Sequence, residues 1–354
     1  MKIRVNAQRY PLSVFWKLRK SIFRSVRQPH RVYNFFRTRA SQRLGHELVK
    51  GHPYILVLEP SGYCNLKCPM CARNYMADKK QSGNMSSGSF KKLMDEIGDY
   101  LIFLMIFGYG EPLLNPDIFE IIRLAKEKDI FVVLGTNVLL LTEERLYKLM
   151  QSPTDLIVVS FDAATEETYS KYRVGGDFNQ LVANIKRLSE MKKAQKMNTP
   201  LIDIQFLVMK ENEEGLAATA AALAKQVNAD KYSLKRVASY YTDSEQEKIT
   251  DFLPTQNRDS AYSIYGDEAP GNVRNSCSYP WNRATVNWDG SVIPCCKDID
   301  NHHVFGNAFN GTPFSDIFNG KKSRGFRRQM KEDINKIEIC GTCSRRTKNE
   351  QFLE

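Results

Sequence analysis

The chain has 354 residues, 42% hydrophobic and 26% charged, a composition that indicates a folded globular protein and excludes a disordered chain. Its eight cysteines are clustered and too few for a disulfide scaffold of this length, so we expect metal binding in a reducing compartment. Basic residues interrupt every apolar run near the N-terminus, and no segment of about 18 uncharged apolar residues exists. We therefore expect no signal peptide and no transmembrane helix, and predict a cytoplasmic location.

Residues 1–50 form a basic arm that carries most of the net charge of +11. The arm contains thirteen Lys or Arg residues and one acid, Glu47, whereas the remaining chain sums to −1. On a helix, Phe15, Leu18, Ile22 and Val26 would share one face. Basic and aromatic residues together favour peripheral association with an anionic membrane on its inner face. A helical arm packed on the body is the second interpretation, and nucleic-acid binding is a third and less favoured one.

Residues 51–239 alternate between strand and helix patterns. Continuous apolar runs of this kind are typical of strands that are buried on both faces, and helical spacing lies between them. The predicted strands are Ile55–Leu58, 101–107, 130–134, 156–161, 202–208 and 231–234. Six such repeats predict an α/β fold with a parallel sheet, either a partial barrel or an open doubly wound sheet. Functional residues are then expected at the carboxyl ends of the strands.

A first cysteine cluster follows the first predicted strand directly. Cys64, Cys68 and Cys71 have the spacing C-x3-C-x2-C. Three thiolates on one short loop can hold three irons of a [4Fe-4S] cube and leave the fourth iron open for the amino-acid part of a cofactor. The alternative is a zinc site, which usually needs a fourth ligand that the local sequence does not offer.

This motif and the repeats over residues 52–235 resemble the radical S-adenosylmethionine (SAM) superfamily. The resemblance implies a partial (β/α)6 barrel of the TIM type and an oxygen-sensitive [4Fe-4S] cluster that binds S-adenosyl-L-methionine. It also implies reductive cleavage of SAM to methionine and a 5′-deoxyadenosyl radical, which abstracts a hydrogen atom from a substrate. Reduced flavodoxin or ferredoxin is the expected electron donor.

The resemblance extends to polar residues at the ends of later strands, which it implies as SAM contacts. These residues are Gly110, Glu111, Asn137, Ser160, Asp162 and Arg173. A carboxylate, a guanidinium and hydroxyl or amide groups complement the ammonium, carboxylate and ribose of SAM. Other interpretations remain open: Glu111 as a turn residue, Asp162 as a helix N-cap and Arg173 as a solvated charge. Met70 stands where the family usually has an aromatic residue, so an adenine contact there is not assigned.

A second cysteine cluster lies in residues 276–354. Its proposed ligands are Cys277, Cys295, Cys340 and Cys343, and a predicted hairpin with a turn at 288–291 would bring the first two together. The pattern is similar to the Twitch and SPASM modules and implies one auxiliary [4Fe-4S] cluster, as the further cysteines of the longer SPASM pattern are missing. Structural zinc is the alternative. Cys296 is interpreted as a spare thiol, since adjacent side chains of an extended segment point apart.

The predicted division is an arm at 1–50, a radical SAM core at 51–239, a linker at 240–275 and an auxiliary-cluster domain at 276–354. The favoured function is a radical SAM oxidoreductase acting on a small or lipid-linked sugar or alcohol. The alternative is modification of a peptide or protein side chain, and a zinc-bearing nucleic-acid-binding protein is the alternative from another class. Catalytic residues beyond the cofactor contacts are not assigned.

Overall fold

The computed structural model describes residues 12–74, 82–236, 251–254, 276–341 and 343, with side chains from residue 19 onward in the first helix. Nine strands form one unclosed sheet in the order β6-β5-β4-β3-β2-β1-β7-β8-β9. The strands are β1 (Ile55–Leu58), β2 (Phe103–Ile106), β3 (Phe131–Thr136), β4 (Leu156–Ser160), β5 (Leu201–Val208), β6 (Lys231–Arg236), β7 (Arg283–Val286), β8 (Ser291–Ile293) and β9 (Gly306–Asn307). All pairings from β6 to β7 are parallel, which confirms the partial-barrel α/β prediction.

The helices of the core follow the strands as predicted. Those of the arm and core are α1 (Leu12–Val26), α2 (Pro29–Arg43), α3 (Ser87–Ile97), α4 (Ile118–Glu127), α5 (Glu143–Gln151), α6 (Glu166–Tyr172), α7 (Phe178–Ala194) and α8 (Leu216–Gln226). The C-terminal helices are α9 (Tyr279–Asn282), α10 (Phe314–Phe318), α11 (Lys321–Asp333) and α12 (Glu338–Gly341). Local signals set several ends: the Thr142 side chain accepts from Arg145 N and starts α5.

The two faces of the sheet bury different side chains. On the helix-covered face, residues such as Leu104, Val132 and Ile157 belong to the main core. On the opposite face, Phe131, Val133, Leu156, Val158 and Leu201 form a separate apolar cluster near the amino ends of β3 to β5. Because strand side chains alternate, this second face turns polar further along β5 and β6. The apolar cluster is thus the floor of the barrel, and polar groups lie toward the carboxyl ends.

The C-terminal region joins the core sheet, which the sequence did not predict. The predicted hairpin is present, with Thr285 opposite Ile293. Its first strand, β7, also pairs in parallel with β1, with Ile55 opposite Arg283. The ends of β1 and β7 therefore meet at the same edge, close to the first cysteine loop. The boundaries proposed at 240 and 276 remain a prediction; most of the proposed linker lies outside the described residues.

The arm packs across the floor of the barrel. Ile22 of α1 contacts the apolar floor cluster, and Val26 packs beside Tyr54 and Ile102. Ile22 and Val26, which the sequence suggested for a membrane-facing surface, therefore pack against the barrel instead. The side chains of Phe15 and Leu18 lie outside the described residues. Within the described part of the chain, no helix is long and apolar enough to cross a bilayer.

The arm is also held by a buried arginine. Arg31 is 2% exposed and donates to five backbone carbonyls, among them Gly98 O at 3.2 Å, Asp99 O at 3.1 Å and Asp129 O at 3.3 Å. Four of these carbonyls follow α3 and α4 and the fifth, Ser25 O, lies in the last turn of α1, where helices leave acceptors unpaired. The packed-arm interpretation is therefore correct for α1 from residue 19 and for α2.

Candidate active site

The three cysteines of the first motif lie on the loop that follows β1. Cys68 is buried, whereas Cys64 and Cys71 are half-buried. Burial, together with the neighbouring thiols of Cys68 and Cys64, raises the pKa of Cys71 to about 11, and this influence indicates that the three sulfurs lie close together. Burial also raises the pKa of Cys64. Such thiols need a positive partner before they ionise, and iron supplies one.

The donor set fits an iron–sulfur cluster better than a single ion. Leu66 N donates to Cys64 Sγ at 3.4 Å, a contact of the kind that tunes cluster sulfurs. Over residues 12–74, 82–236, 251–254, 276–341 and 343, no three Cys, His, Asp or Glu side chains converge as ligands of one metal ion. A cube gives each cysteine its own iron, so convergence on one point is not required.

Gly110 and Glu111 lie beside the cysteine loop at the carboxyl end of β2. A Cβ at Gly110 would stand 1.8 Å from Ser61 O, so only glycine allows this approach. Glu111 is 3% exposed, and burial raises its pKa. Its Oε1 accepts from Thr136 Oγ1 at 2.6 Å and from Leu113 N at 3.1 Å. The turn interpretation is thus partly correct, since Glu111 N-caps the 3-10 helix Pro112–Leu114.

Asn137 connects the end of β3 to both neighbouring loops. Its backbone N donates to Glu111 Oε2 at 2.9 Å, and its Nδ2 donates to Asn65 Oδ1 at 2.9 Å. Asn65 immediately follows the first cysteine ligand. The predicted contacts Gly110, Glu111 and Asn137 therefore lie together against the cysteine loop.

Asp162 and Arg173 form a buried ion pair. Asp162 has a positive φ of 62° and is 1% exposed. Its Oδ2 accepts from Arg173 Nε at 2.8 Å and from Arg173 Nη2, while its Oδ1 accepts from Leu207 N at 2.7 Å. Arg173 Nη1 in turn donates to Cys68 Sγ at 3.4 Å. Arg173 is therefore not a solvated charge, and Asp162 is not the N-cap of α6, which is Thr165.

Ser160 is the last residue of β4, two positions before Asp162 of this ion pair. It is half-buried and stands opposite Gln205 of β5. Among the described contacts it has no direct link to the cysteine loop. Its role as a SAM contact, like those of the other five residues, remains a prediction from the motif.

The second cysteine set gathers near the base of the C-terminal hairpin. Burial raises the pKa of Cys295, and Cys296, Cys277 and Cys343 raise it further because their charges lie nearby. Cys343 N donates to Cys340 O at 3.2 Å, which places Cys340 in the same turn. Four thiols with one spare neighbour suit an auxiliary cluster. The choice of Cys340 over Cys296 as ligand remains a prediction.

Two residues missed by the motif comparison link the two cysteine regions. Tyr109 Oη donates to the carbonyl of Cys296, and Tyr109 N donates to Glu59 Oε2 at 3.1 Å. Burial raises the pKa of Glu59 to about 7. A carboxylate directly after an apolar strand was the signal that could have revealed Glu59. No local sequence pattern around Tyr109 predicts its partner Cys296, which lies 187 positions further along the chain.

The hairpin turn also reaches the first cysteine loop. Trp288 packs against Gly62 and Gly83, since a Cβ at these glycines would lie 2.6 Å from its Nε1 and 2.3 Å from its Cζ3. Gly62 N donates to Gly83 O at 2.8 Å. The auxiliary region thus covers one side of the loop that carries the first cysteines.

Comparison with known families agrees with this geometry. The radical SAM superfamily model matches residues 58–221, and the SPASM iron-sulfur cluster-binding domain matches residues 277–344. The chain belongs to the radical SAM superfamily and carries a C-terminal SPASM domain. Its cofactors are accordingly SAM, a [4Fe-4S] cluster and auxiliary iron–sulfur binding in the SPASM domain. The zinc-protein alternative is wrong.

Individual relatives are distant and differ in their substrates. The chain is 27% identical to the tungsten-containing aldehyde ferredoxin oxidoreductase cofactor-modifying protein of Pyrococcus furiosus, over 71% of this chain and 74% of that one. It is 25% identical to the S-adenosyl-L-methionine-dependent 2-deoxy-scyllo-inosamine dehydrogenase of Niallia circulans, over 82% of this chain and 92% of that one. SuiB of Streptococcus suis, solved with its precursor peptide SuiA, shares the fold with a TM-score of 0.61 at 17% identity. The match covers 88% of this chain and 74% of SuiB.

Proposed function

We propose that the chain oxidises a small, hydroxylated substrate, such as a sugar or cyclitol, free or lipid-linked. The observation that carries this proposal is a row of polar side chains across three neighbouring strands. Ser160 stands opposite Gln205, and Gln205 stands opposite Ser233. Gln205 Nε2 lies 3.4 Å from Ser233 Oγ. Hydroxyl and amide groups of this kind bind substrate hydroxyls by donating and accepting hydrogen bonds.

Charged groups lie on the same face as this polar row. One layer below, Lys231 Nζ pairs with Asp203 Oδ2 at 3.0 Å. On the other side of the open barrel, Glu59 follows β1 directly. Because alternate residues of a strand share one face, Glu59 is expected on the same face as Ile55 and Val57. Polar groups thus lie on two sides of the carboxyl end, on β1 and on β4 to β6, above the apolar floor. An interior of this kind favours a polar substrate over an apolar side chain.

Each set of residues has a defined task in this proposal. The cysteine loop would hold the SAM-binding cluster, and Glu111, Asn137 and Arg173 would orient the amino-acid part of SAM. Together the bound cluster and SAM supply a radical that removes a hydrogen atom from carbon. Ser160, Gln205 and Ser233 would fix the substrate carbon in reach, and Glu59 would accept the hydroxyl proton. The auxiliary cluster that the second cysteine set would hold would take the remaining electron. The relative that acts on a cyclitol amine supports this assignment.

Modification of a peptide is the second candidate. SuiB, which has the same fold, was solved with a precursor peptide, and this motivates the alternative. Polar groups at the barrel mouth would then meet a peptide backbone. The two candidates differ in which molecules accelerate the formation of 5′-deoxyadenosine.

The test is an anaerobic assay of 5′-deoxyadenosine with reconstituted protein and a panel of cyclitols, amino sugars, lipid-linked sugars and short peptides. We expect at least one hydroxylated compound to raise the rate about tenfold above the rate without substrate. Gln205→Leu should abolish this increase and leave the basal rate unchanged, while the exposed Gln226→Leu should change neither. Acceleration by peptides alone would contradict the proposal.

A further inference from the structure

Helix α2 has its polar face inward and its apolar face outward. The buried residues Arg31, Asn34, Thr38 and Ser41 recur at helical spacing. Asn34 Nδ2 and Thr38 Oγ1 both donate to His52 O, at 3.1 and 3.0 Å. This face therefore docks on the barrel mainly through hydrogen bonds, and Phe35 at its edge adds an apolar contact with Tyr54.

The outward face carries the apolar side chains. Tyr33, Phe36, Ala40 and Leu44, here called the outer stripe, follow the same helical spacing, and all four are exposed. Tyr33, Phe36 and Leu44 are 63%, 64% and 67% exposed, respectively. Folding of the described chain leaves this stripe uncovered, although apolar stripes of this size normally mark a contact surface.

Cations lie beside the outer stripe on α2 and on the preceding helix α1. Arg37 lies over the Tyr33 ring at 5.3 Å, and Arg43 is exposed at the end of the same helix. Along the end of α1, a shallow and open basic cleft is lined by Arg19, Lys20, Phe23, Arg24 and Arg27. The one acid of residues 1–50, Glu47, already pairs with Arg328 at 2.7 Å. The surface is therefore cationic and aromatic without a balancing carboxylate from the arm.

We propose that the outer stripe and the basic cleft of α1 dock on an anionic phospholipid bilayer. The rings of Tyr33 and Phe36 and the Leu44 side chain enter the interface between headgroups and acyl chains. Lys20, Arg24 and Arg27 bind the lipid phosphates. This docking is independent of the substrate, and it would place the barrel beside the membrane without a transmembrane helix.

Charge argues against the other occupants. A second copy would bring another arm of the same sign against the first, which costs free energy unless acids lie between them. Nucleic acid would satisfy the cations and stack on the rings, but it offers no apolar phase to Leu44. An anionic bilayer satisfies both the cations and the apolar stripe.

The experiment measures co-sedimentation of the reconstituted holoprotein with vesicles of equal parts phosphatidylglycerol and phosphatidylcholine. We expect binding to these vesicles, little binding to pure phosphatidylcholine, and release as salt rises. The triple variant Tyr33→Ser, Phe36→Ser and Leu44→Ser should lose at least about tenfold in partitioning. Tyr147→Ser removes an equally exposed ring from α5 and should bind like the wild type. Arg24→Gln with Arg27→Gln should weaken binding and its salt dependence.

Melting temperature and iron content show whether each variant remains folded. Equal partitioning of the triple variant and the wild type would overturn the proposal. It would also be overturned if duplex DNA bound more tightly than the anionic vesicles, or if the wild type formed a dimer without lipid that the triple variant lost.

Discussion

Arg173 Nη1 donates a hydrogen bond to Cys68 Sγ across 3.4 Å, while the other side of the same guanidinium holds Asp162. One buried side chain thus connects the end of β4, the end of α6 and the first cysteine loop. The residue implied as the SAM carboxylate partner therefore already lies against a cluster ligand. This proximity is what the assignment requires, because SAM must reach the open iron of the same cluster.

Arg173→Ala should weaken SAM binding by about tenfold or more, since it removes a charge-assisted partner. The variant leaves Asp162 buried and unpaired, so Arg173→Lys is the second variant: it keeps the charge but loses the fork geometry. Calorimetric titration with SAM measures both. Lys171→Ala, two positions away and exposed in pairs with Glu167 and Glu211, is the matched control. Wild-type affinity in both Arg173 variants would show that the carboxylate binds elsewhere.

Reconstituted protein should hold about eight irons per chain, four at each cysteine set. Replacing Cys64, Cys68 and Cys71 together by Ala should leave about four and abolish SAM cleavage. Iron analysis and 5′-deoxyadenosine formation measure the two effects. Cys296→Ala is the control within the second set and should retain all the iron. If Cys296→Ala lost iron and Cys340→Ala retained it, Cys296 would be the ligand and Cys340 the spare thiol.

Glu59→Gln should reduce the loss of stability that occurs as pH rises. The folded-state pKa of about 7 lies above the ordinary value of 4.5, because burial disfavours the carboxylate. Between these two pH values the folded protein keeps a proton that the unfolded chain has released, so stability falls as pH rises through this window. Glutamine does not titrate. The melting temperature should therefore fall less between pH 5 and pH 8 in Glu59→Gln than in the wild type, whereas the exposed Glu332→Gln should follow the wild type.

Arg31→Ala should destabilise the protein by about 3 kcal/mol or more, because it leaves buried carbonyls at the ends of three helices without this donor. Urea denaturation followed by circular dichroism measures the change. Arg37→Ala removes the same side chain from the exposed face of α2 and should cost far less. By the same reasoning, a chain that begins at residue 51 should fold poorly, since it lacks Ile22 and Val26 on the barrel floor. A stable, SAM-cleaving protein of that length would contradict the structural role of the arm.

The sequence by itself determined the features that depend on neighbours along the chain. The C-x3-C-x2-C spacing, the six strand runs and the Thr142 cap are local patterns, and local geometry decides them. The family and its cofactors followed from the same short motifs. The positions of Glu111 and Asp162 could be placed after strand ends for the same reason, whereas Arg173 lies at the end of α6.

Only the tertiary structure decided which distant groups meet. Pairing of β7 with β1, the hydrogen bond from Tyr109 to Cys296 and the burial of Arg31 all join residues far apart in sequence, and no periodicity encodes such partners. The arm shows the reason most directly. Its sequence contains two stripes, and the barrel floor, which exists only after folding, decides that Ile22 and Val26 turn inward while Tyr33, Phe36 and Leu44 face solvent.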